Sequence, residues 1–309
     1  MSEDYLWDKS GEPDAEVVRL EKLLAPLAHI HKDKVKAKPK RLWWLAAAAV
    51  IAAAITIPLM RRGPLTDWQY SAQGMETRHV RTGQVIDTDG KNEAKLESSV
   101  TGELQIEPDS RLRLVASADN QQRFQLERGT IHALIWAPPG KFVVDTPAAR
   151  TVDLGCRYTL HMEEDGTGLL SVDMGWVAFE WNGTESFIPA GAACKTKPNR
   201  GPGTPWFTDA PEPLRRALED FDATPGASTL AKALPLARPK DAMTVWHLMT
   251  RTKLKERTQA YDTLAKLVPL PAAASRDGIL RGETAAVDAA WDALDLGSAE
   301  VWRNWKKNW

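Results

Sequence analysis

The stretch Leu42–Met60 reads LWWLAAAAVIAAAITIPLM and contains no charged side chain. In a bilayer core every backbone N–H and C=O group must be paired within the segment, so such a run can cross only as a helix. At a rise of about 1.5 Å per residue it spans roughly 28 Å, which is close to the thickness of the hydrocarbon layer. Trp43 and Trp44 stand at one end, where indole rings favour the headgroup region. We therefore predict a single transmembrane helix at 42–60, which sorts the rest of the chain into two compartments.

Two other interpretations of this stretch stay open. One is a buried core helix, although Ala-rich core helices of this length usually keep a polar face. The other is a cleaved signal peptide, although signal peptides have a short basic head and here 41 residues precede the apolar run.

The charges beside the apolar stretch predict its orientation. Only Arg61 and Arg62 follow it directly, whereas six basic residues precede it: Lys32, Lys34, Lys36, Lys38, Lys40 and Arg41. Because Lys and Arg are retained on the cytoplasmic face, residues 1–41 are predicted to be cytoplasmic and the C-terminal regions to lie outside.

The composition limits the classes of function. The chain has 309 residues and a formal net charge of −1, so it is long enough for about two domains and shows no basic footprint for nucleic acid. Its only cysteines, Cys156 and Cys194, fall on the side predicted to be oxidising. They either form a disulfide that closes a loop of about 37 residues or remain two separate buried thiols.

The cytoplasmic segment 1–41 contains a short amphipathic helix. Its apolar residues recur at helical spacing and are Val17, Leu20, Leu24 and Leu27. Asp14 is a suitable N-cap, and Pro26 should end or kink the helix near Ala25. A segment this short has no core of its own, so we predict that these four residues bind a cytoplasmic partner. The alternative is a tether with no fixed partner.

Beyond a linker at 61–82, residues 83–198 alternate apolar and polar side chains in short segments separated by turns such as Asn182-Gly183. This period of two predicts an all-β region. Its predicted inward-facing residues are Phe142, Val144, Leu154, Tyr158, Leu160, Leu170, Val172 and Val177. A second linker at 199–210 leads to an all-α region at 211–309, whose predicted helices are 212–222, 228–236, 241–250, 253–267, 283–294 and 298–309.

Three motifs in the β region occur in an order that resembles a known family. Gly102–Leu112 resembles its first strand and turn, and Phe142–Pro147 resembles an F-x-V-x-T-P strand. Val152–Tyr158 resembles the family's most recognisable motif, v-x-x-L-G-T-x-F. The family is the FecR-type sensor domain of bacterial envelope signalling, and the resemblance covers about a third of the chain.

The motif residues Leu154, Gly155, Cys156 and Tyr158 include two departures from the family. Cys156 stands where the family has Thr, and Tyr158 stands where it has Phe. Pro189-Ala190-Gly191 resembles the closing motif of the family, and Cys194 lies near its glycine. The departure at Cys156 therefore looks paired, which supports the possible disulfide.

Taken with the resemblance, the sequence predicts a multidomain membrane protein with a single transmembrane helix, an all-β FecR-like domain and an all-α C-terminal domain. The resemblance implies a single-pass protein of the bacterial inner membrane, whose periplasmic domains sense an envelope protein or ligand. Its cytoplasmic partner would be an extracytoplasmic-function sigma factor, which the N-terminal segment inhibits or activates. The other hypothesis is an envelope interaction or scaffold protein that binds a cell-surface polymer or protein and uses the N-terminal segment only as a tether.

No catalytic chemistry is indicated by the sequence. It contains no nucleophile elbow, P-loop, dinucleotide-binding glycine motif or metal-binding helix. We therefore predict that the protein is not an enzyme, that it has no cofactor and no metal site, and that it does not contact nucleic acid directly.

Overall fold

A computed structural model describes residues 14–25, 65–118 and 121–300. The chain divides into two compact units, Met1–Pro58 and Leu59–Trp309, which are described separately. Among the described residues, no helix combines the length and the apolar character needed to cross a membrane. The transmembrane helix predicted at 42–60 lies outside the described residues.

The first unit is represented by one helix, α1 (Ala15–Leu24). Asp14 caps its N-terminus, because its side-chain Oδ1 accepts a hydrogen bond from the backbone N–H of Glu16 at 3.0 Å. The helix ends at Leu24, just before Pro26, as the sequence predicts.

The second unit begins with sixteen strands. They are β1 (Leu65–Ala72), β2 (Arg78–Arg81), β3 (Val85–Asp87), β4 (Ala94–Ser98), β5 (Gly102–Ile106), β6 (Arg111–Ala118), β7 (Gln121–Ile135), β8 (Phe142–Asp145), β9 (Arg150–Asp153), β10 (Arg157–Met162), β11 (Gly168–Met174), β12 (Trp176–Trp181), β13 (Thr184–Pro189), β14 (Ala192–Lys197), β15 (Gly201–Pro202) and β16 (Trp206–Phe207). The predicted β-rich middle of the chain is thereby confirmed.

The strands form two sheets that share β7. The first part of β7 pairs with β6 and β8, and its last part pairs with β5 and β10. One sheet has the order β3-β6-β7-β8-β9-β12-β13, and the other runs from β2 through β1, β4, β5, β7, β10 and β11 to β14. All pairs are antiparallel except β7 with β8. The chain passes between the sheets within β7 at Gly129, whose φ of +87° suits glycine.

The apolar side chains between the sheets form the core. Seven of the eight residues predicted to face inward are at most 1% exposed, and the eighth, Leu154, is half-buried against them. Burying a large apolar side chain contributes about 1.5–3 kcal/mol, so this alternation is the main source of stability for the two sheets.

The segment predicted as a linker at 61–82 instead contains β1 and β2. Trp68 of β1 is fully buried, its Nε1 donates to Gln122 Oε1 at 3.0 Å, and its ring packs edge-on against Phe124 at 5.2 Å. Trp68 and Tyr70 alternate inward like the residues of the other strands. The predicted linker at 199–210 likewise contributes β15 and β16, which both pair with β14.

Within residues 211–300, six α-helices follow: α2 (Glu212–Ala223), α3 (Ala227–Ala233), α4 (Ala242–Arg251), α5 (Leu254–Leu267), α6 (Arg276–Arg281) and α7 (Thr284–Asp292). They pack directly on the sheet at β13. The ring of Phe187 lies 6.0 Å from that of Trp291 in α7, and Thr244 Oγ1 of α4 donates to the carbonyl oxygen of Pro205 at 2.9 Å. The C-terminal helical region predicted from the sequence is thus present and belongs to the same compact unit as the sheets.

Candidate functional site

The apolar face of α1 is the first candidate. No residue of α1 is buried; Leu20 is 57% exposed, Leu24 is 56% exposed, and Val17 is half-buried. The fourth predicted partner-binding residue, Leu27, lies outside the described residues. Exposed leucines along one side of a capped helix are typical of a segment that docks in a groove of another protein.

The second candidate is the corner between β9 and β10, where the chain crosses from one sheet to the other. Gly155 has a φ of +90°, and its backbone N–H donates to Asp153 Oδ1 at 2.7 Å. Gly175 approaches so closely that a Cβ atom there would overlap the carbonyl oxygen of Gly155. The turn therefore favours glycine at Gly155 through its positive φ, whereas the close approach requires glycine at Gly175.

A carboxyl group is buried in the same corner. Asp153 is 1% exposed, and the Cys156 thiol donates a hydrogen bond to it. Burial raises the pKa of Asp153 to about 7, although the hydrogen bonds from Cys156 and Gly155 act in the opposite direction. The hydroxyl group of Tyr158 is buried without a hydrogen bond to any described residue, and burial together with the nearby Asp153 raises its pKa. The corner thus holds an acid that titrates near neutral pH.

The disulfide between Cys156 and Cys194 is not formed; both are buried free thiols. Cys194 lies opposite Leu170 on one side of β11, whereas Cys156 precedes Arg157, which lies opposite Met174 on the other side. The two cysteines are therefore offset by about 13 Å along the strands and by two strand spacings across them. Bridging requires Cα atoms within about 7 Å, so this register keeps the thiols apart.

The third candidate is a cleft of about 570 Å³ between the sheet and the helices. Its floor is an ion pair, since Arg251 Nη1 of α4 lies 3.6 Å from Asp222 Oδ1 of α2. The hydroxyl group and the backbone N–H of Thr204 each donate to Asp222 at 2.7 Å, and Arg251 also donates to Ser186 of β13. These contacts join two helices to two segments of the β region.

Burial acts against both charges of this pair. It raises the pKa of Asp222 and lowers the pKa of Arg251, while the attraction between the two groups acts in the opposite direction on each. A buried charge is tolerated when it is paired and hydrogen-bonded, as both groups are here. Losing one partner would leave the other charge uncompensated.

A buried histidine makes a second link between sheet and helices. His247 Nε2 accepts a hydrogen bond from the backbone N–H of Phe187 at 3.1 Å, so its Nδ1 carries the proton and donates to the Met243 carbonyl at 2.9 Å. Burial and the neighbouring Arg251 lower the pKa of His247 to about 3, and the imidazole is neutral at physiological pH. His247 is therefore a structural link and not a titrating group.

The cleft residues were not among the residues predicted from the sequence. His247 and Arg251 lie one turn apart on α4, but Asp222 lies on α2, and only the packing of both helices against the β region brings it beside Arg251. The one local signal is a histidine within the otherwise apolar run of α4, AMTVWHLM. Among the described residues, no group of three metal-binding side chains is found.

Comparison with known proteins identifies a family for part of the chain. Residues 84–177 match the family model described as FecR protein. Two crystal structures of a protein from Parabacteroides distasonis, provisionally named an anti-sigma factor, are similar at 15% sequence identity with a TM-score of 0.34. The match covers 38% of this chain and 57% and 56% of those two chains, so this chain spans little more than half of their length. No curated protein matches the sequence.

Proposed function

Because residues 84–177 form a domain of the FecR protein family, we propose that this protein is a single-pass transducer of the bacterial inner membrane that regulates an extracytoplasmic-function sigma factor. Residues 1–41 occupy the cytoplasm, 42–60 cross the membrane, and the sheets and helices lie in the periplasm, where they sense an envelope protein or ligand. The six basic residues before the apolar stretch support this orientation.

The observation that carries the proposal is the exposed apolar side of α1. Leu20 and Leu24 are more than half exposed although each would gain about 2 kcal/mol from full burial. A sigma factor that covers these leucines recovers this free energy. The predicted partner-binding residues Val17, Leu20 and Leu24 then form one docking stripe along α1, and Leu27 stays a predicted member of it.

A capture experiment tests the docking. The double variant Leu20→Asp with Leu24→Asp places two charges on the stripe, and we expect it to lose a co-purifying sigma factor that the wild-type chain retains. The matched control is Ala15→Asp with Val18→Asp, which adds the same charge on the opposite side of the helix. Equal capture of the sigma factor by the two double variants contradicts the docking role. Recovery of envelope components alone with the wild-type chain favours the scaffold hypothesis instead.

A further inference from the structure

We propose that the cleft between the sheet and the helices binds an organic monocarboxylate with an apolar body, either a small acid or the carboxyl terminus of a peptide. This site is independent of α1 and of the partner proposed for it. It lies among residues of β13, β14 and β15 on one side and of α2, α4 and α7 on the other.

The dimensions of the cleft suit a ligand of this size. Sites for small molecules typically occupy roughly 300–1,000 Å³ and favour the boundaries between structural units. The cleft measures about 570 Å³, which is enough for a dipeptide. Its apolar walls include Phe221, Trp246 and Val287 from the helices and Pro202 from the β region.

The two acids that α2 contributes to the cleft have partners, whereas two of its cationic side chains keep donors without one in the described part of the chain. The Glu219 carboxylate pairs with Lys195, and the Asp222 carboxylate receives the two hydrogen bonds from Thr204 and the charge of Arg251. Lys197, by contrast, is exposed and makes no ion pair or hydrogen bond through its side chain within 14–25, 65–118 and 121–300.

Arg251 adds a second donor. Its Nε is buried and has no hydrogen-bond partner among the residues the structure describes. Buried donors without a partner are rare in folded proteins and point to a group that the protein itself does not supply. Arg251 and Lys197 both line the cleft, so one ligand can meet both donors.

This arrangement explains the choice of ligand. A carboxylate accepts charge-assisted hydrogen bonds from Lys and Arg, while an apolar body lies along Phe221 and Trp246. A cationic ligand would find the Glu219 and Asp222 carboxylates already paired and would face Lys197. An occupant of the cleft contacts the β region and the helices together, so its binding stabilises their packing.

Calorimetry with two matched peptides tests the site. Acetyl-Ala-Phe with a free carboxylate and the same peptide as its carboxamide differ only in the charge of the terminus. With the full chain in a non-ionic detergent, we expect the acid to bind about tenfold more tightly than the amide. Measuring 3-phenylpropionate beside the peptide acid then separates a small-acid ligand from a peptide terminus.

The variant Lys197→Met should reduce the affinity for the acid to that for the amide, because this lysine is exposed and its loss leaves the fold intact. The variant Arg251→Lys, whose folding is checked by circular dichroism, should also weaken binding of the peptide acid. Lys91→Met, which changes a lysine outside the cleft, is the control and should bind like the wild type. Equal binding of acid and amide, equal behaviour of Lys197→Met and Lys91→Met, or no binding of the acid at about 1 mM overturns the proposal.

Discussion

Asp153 is almost fully buried, although aspartate side chains are rarely found in the protein interior. The sequence motif around it pointed to Leu154, Gly155, Cys156 and Tyr158, but not to the carboxyl group, because an Asp between apolar residues is usually read as a turn residue. Its burial depends on the crossing of the chain from one sheet to the other, which no local pattern reveals.

The pKa of Asp153 makes stability depend on pH. The folded-state pKa of Asp153 is about 7, which exceeds the ordinary value of 3.8. Between pH 3.8 and pH 7 the folded state therefore binds this proton more tightly than the unfolded state does. The free energy of unfolding should therefore fall as pH rises from 5 to 8, by roughly 2 to 3 kcal/mol from this group. Urea unfolding at the two pH values measures the change.

The substitution Asp153→Asn removes the ionising group and should reduce this loss of stability between pH 5 and 8. The exposed Asp173 supplies the control, and Asp173→Asn should keep the wild-type dependence. Parallel curves for wild type and Asp153→Asn would show that the buried acid does not titrate in this range.

The elements differed in how far the sequence predicted them. Helices of ten residues or more were predicted close to their observed bounds, whereas β1, although eight residues long, lies in a segment predicted as a linker. Strands β15 and β16 contain only two residues each, so their existence depends on β14 and not on a pattern of their own. The cleft has the same limitation, since Arg251 and Asp222 become partners only when α2 and α4 both pack against the β region.

Strand β7 depends on Gly129, where it leaves one sheet and enters the other. A side chain there would meet Ser110, whose Cβ lies 2.6 Å from the position of an added Cβ, in a backbone conformation that already disfavours side chains. Gly129→Ala should lower the free energy of unfolding by about 3 kcal/mol, from strain and overlap together. Gly183→Ala has a similar φ of +78° but no atom within 4 Å, and should cost about 1 kcal/mol. Equal losses measured by urea unfolding would argue against the close contact at Gly129.

At the scale of the whole molecule, the proposal requires the two ends of the chain to lie on opposite sides of a membrane. A reporter that is active only in the cytoplasm should work when fused before Met1 and fail when fused after Trp309, because the basic flank retains residues 1–41 inside. A periplasmic reporter should give the reverse result. Activity of the cytoplasmic reporter at both ends, or release of the whole chain without detergent, would refute the proposed topology.

Because β7 belongs to both sheets, it affects how the two sheets open locally. The ladders of the two sheets lie on successive parts of this one strand, so displacing β7 from one sheet also disturbs its pairing in the other. Amide hydrogens on the two sides of Gly129 should then exchange with deuterium at matching slow rates, set by unfolding of the entire domain. A clear gap between the exchange rates of Phe124 and Ile131 would mean that the sheets open one at a time.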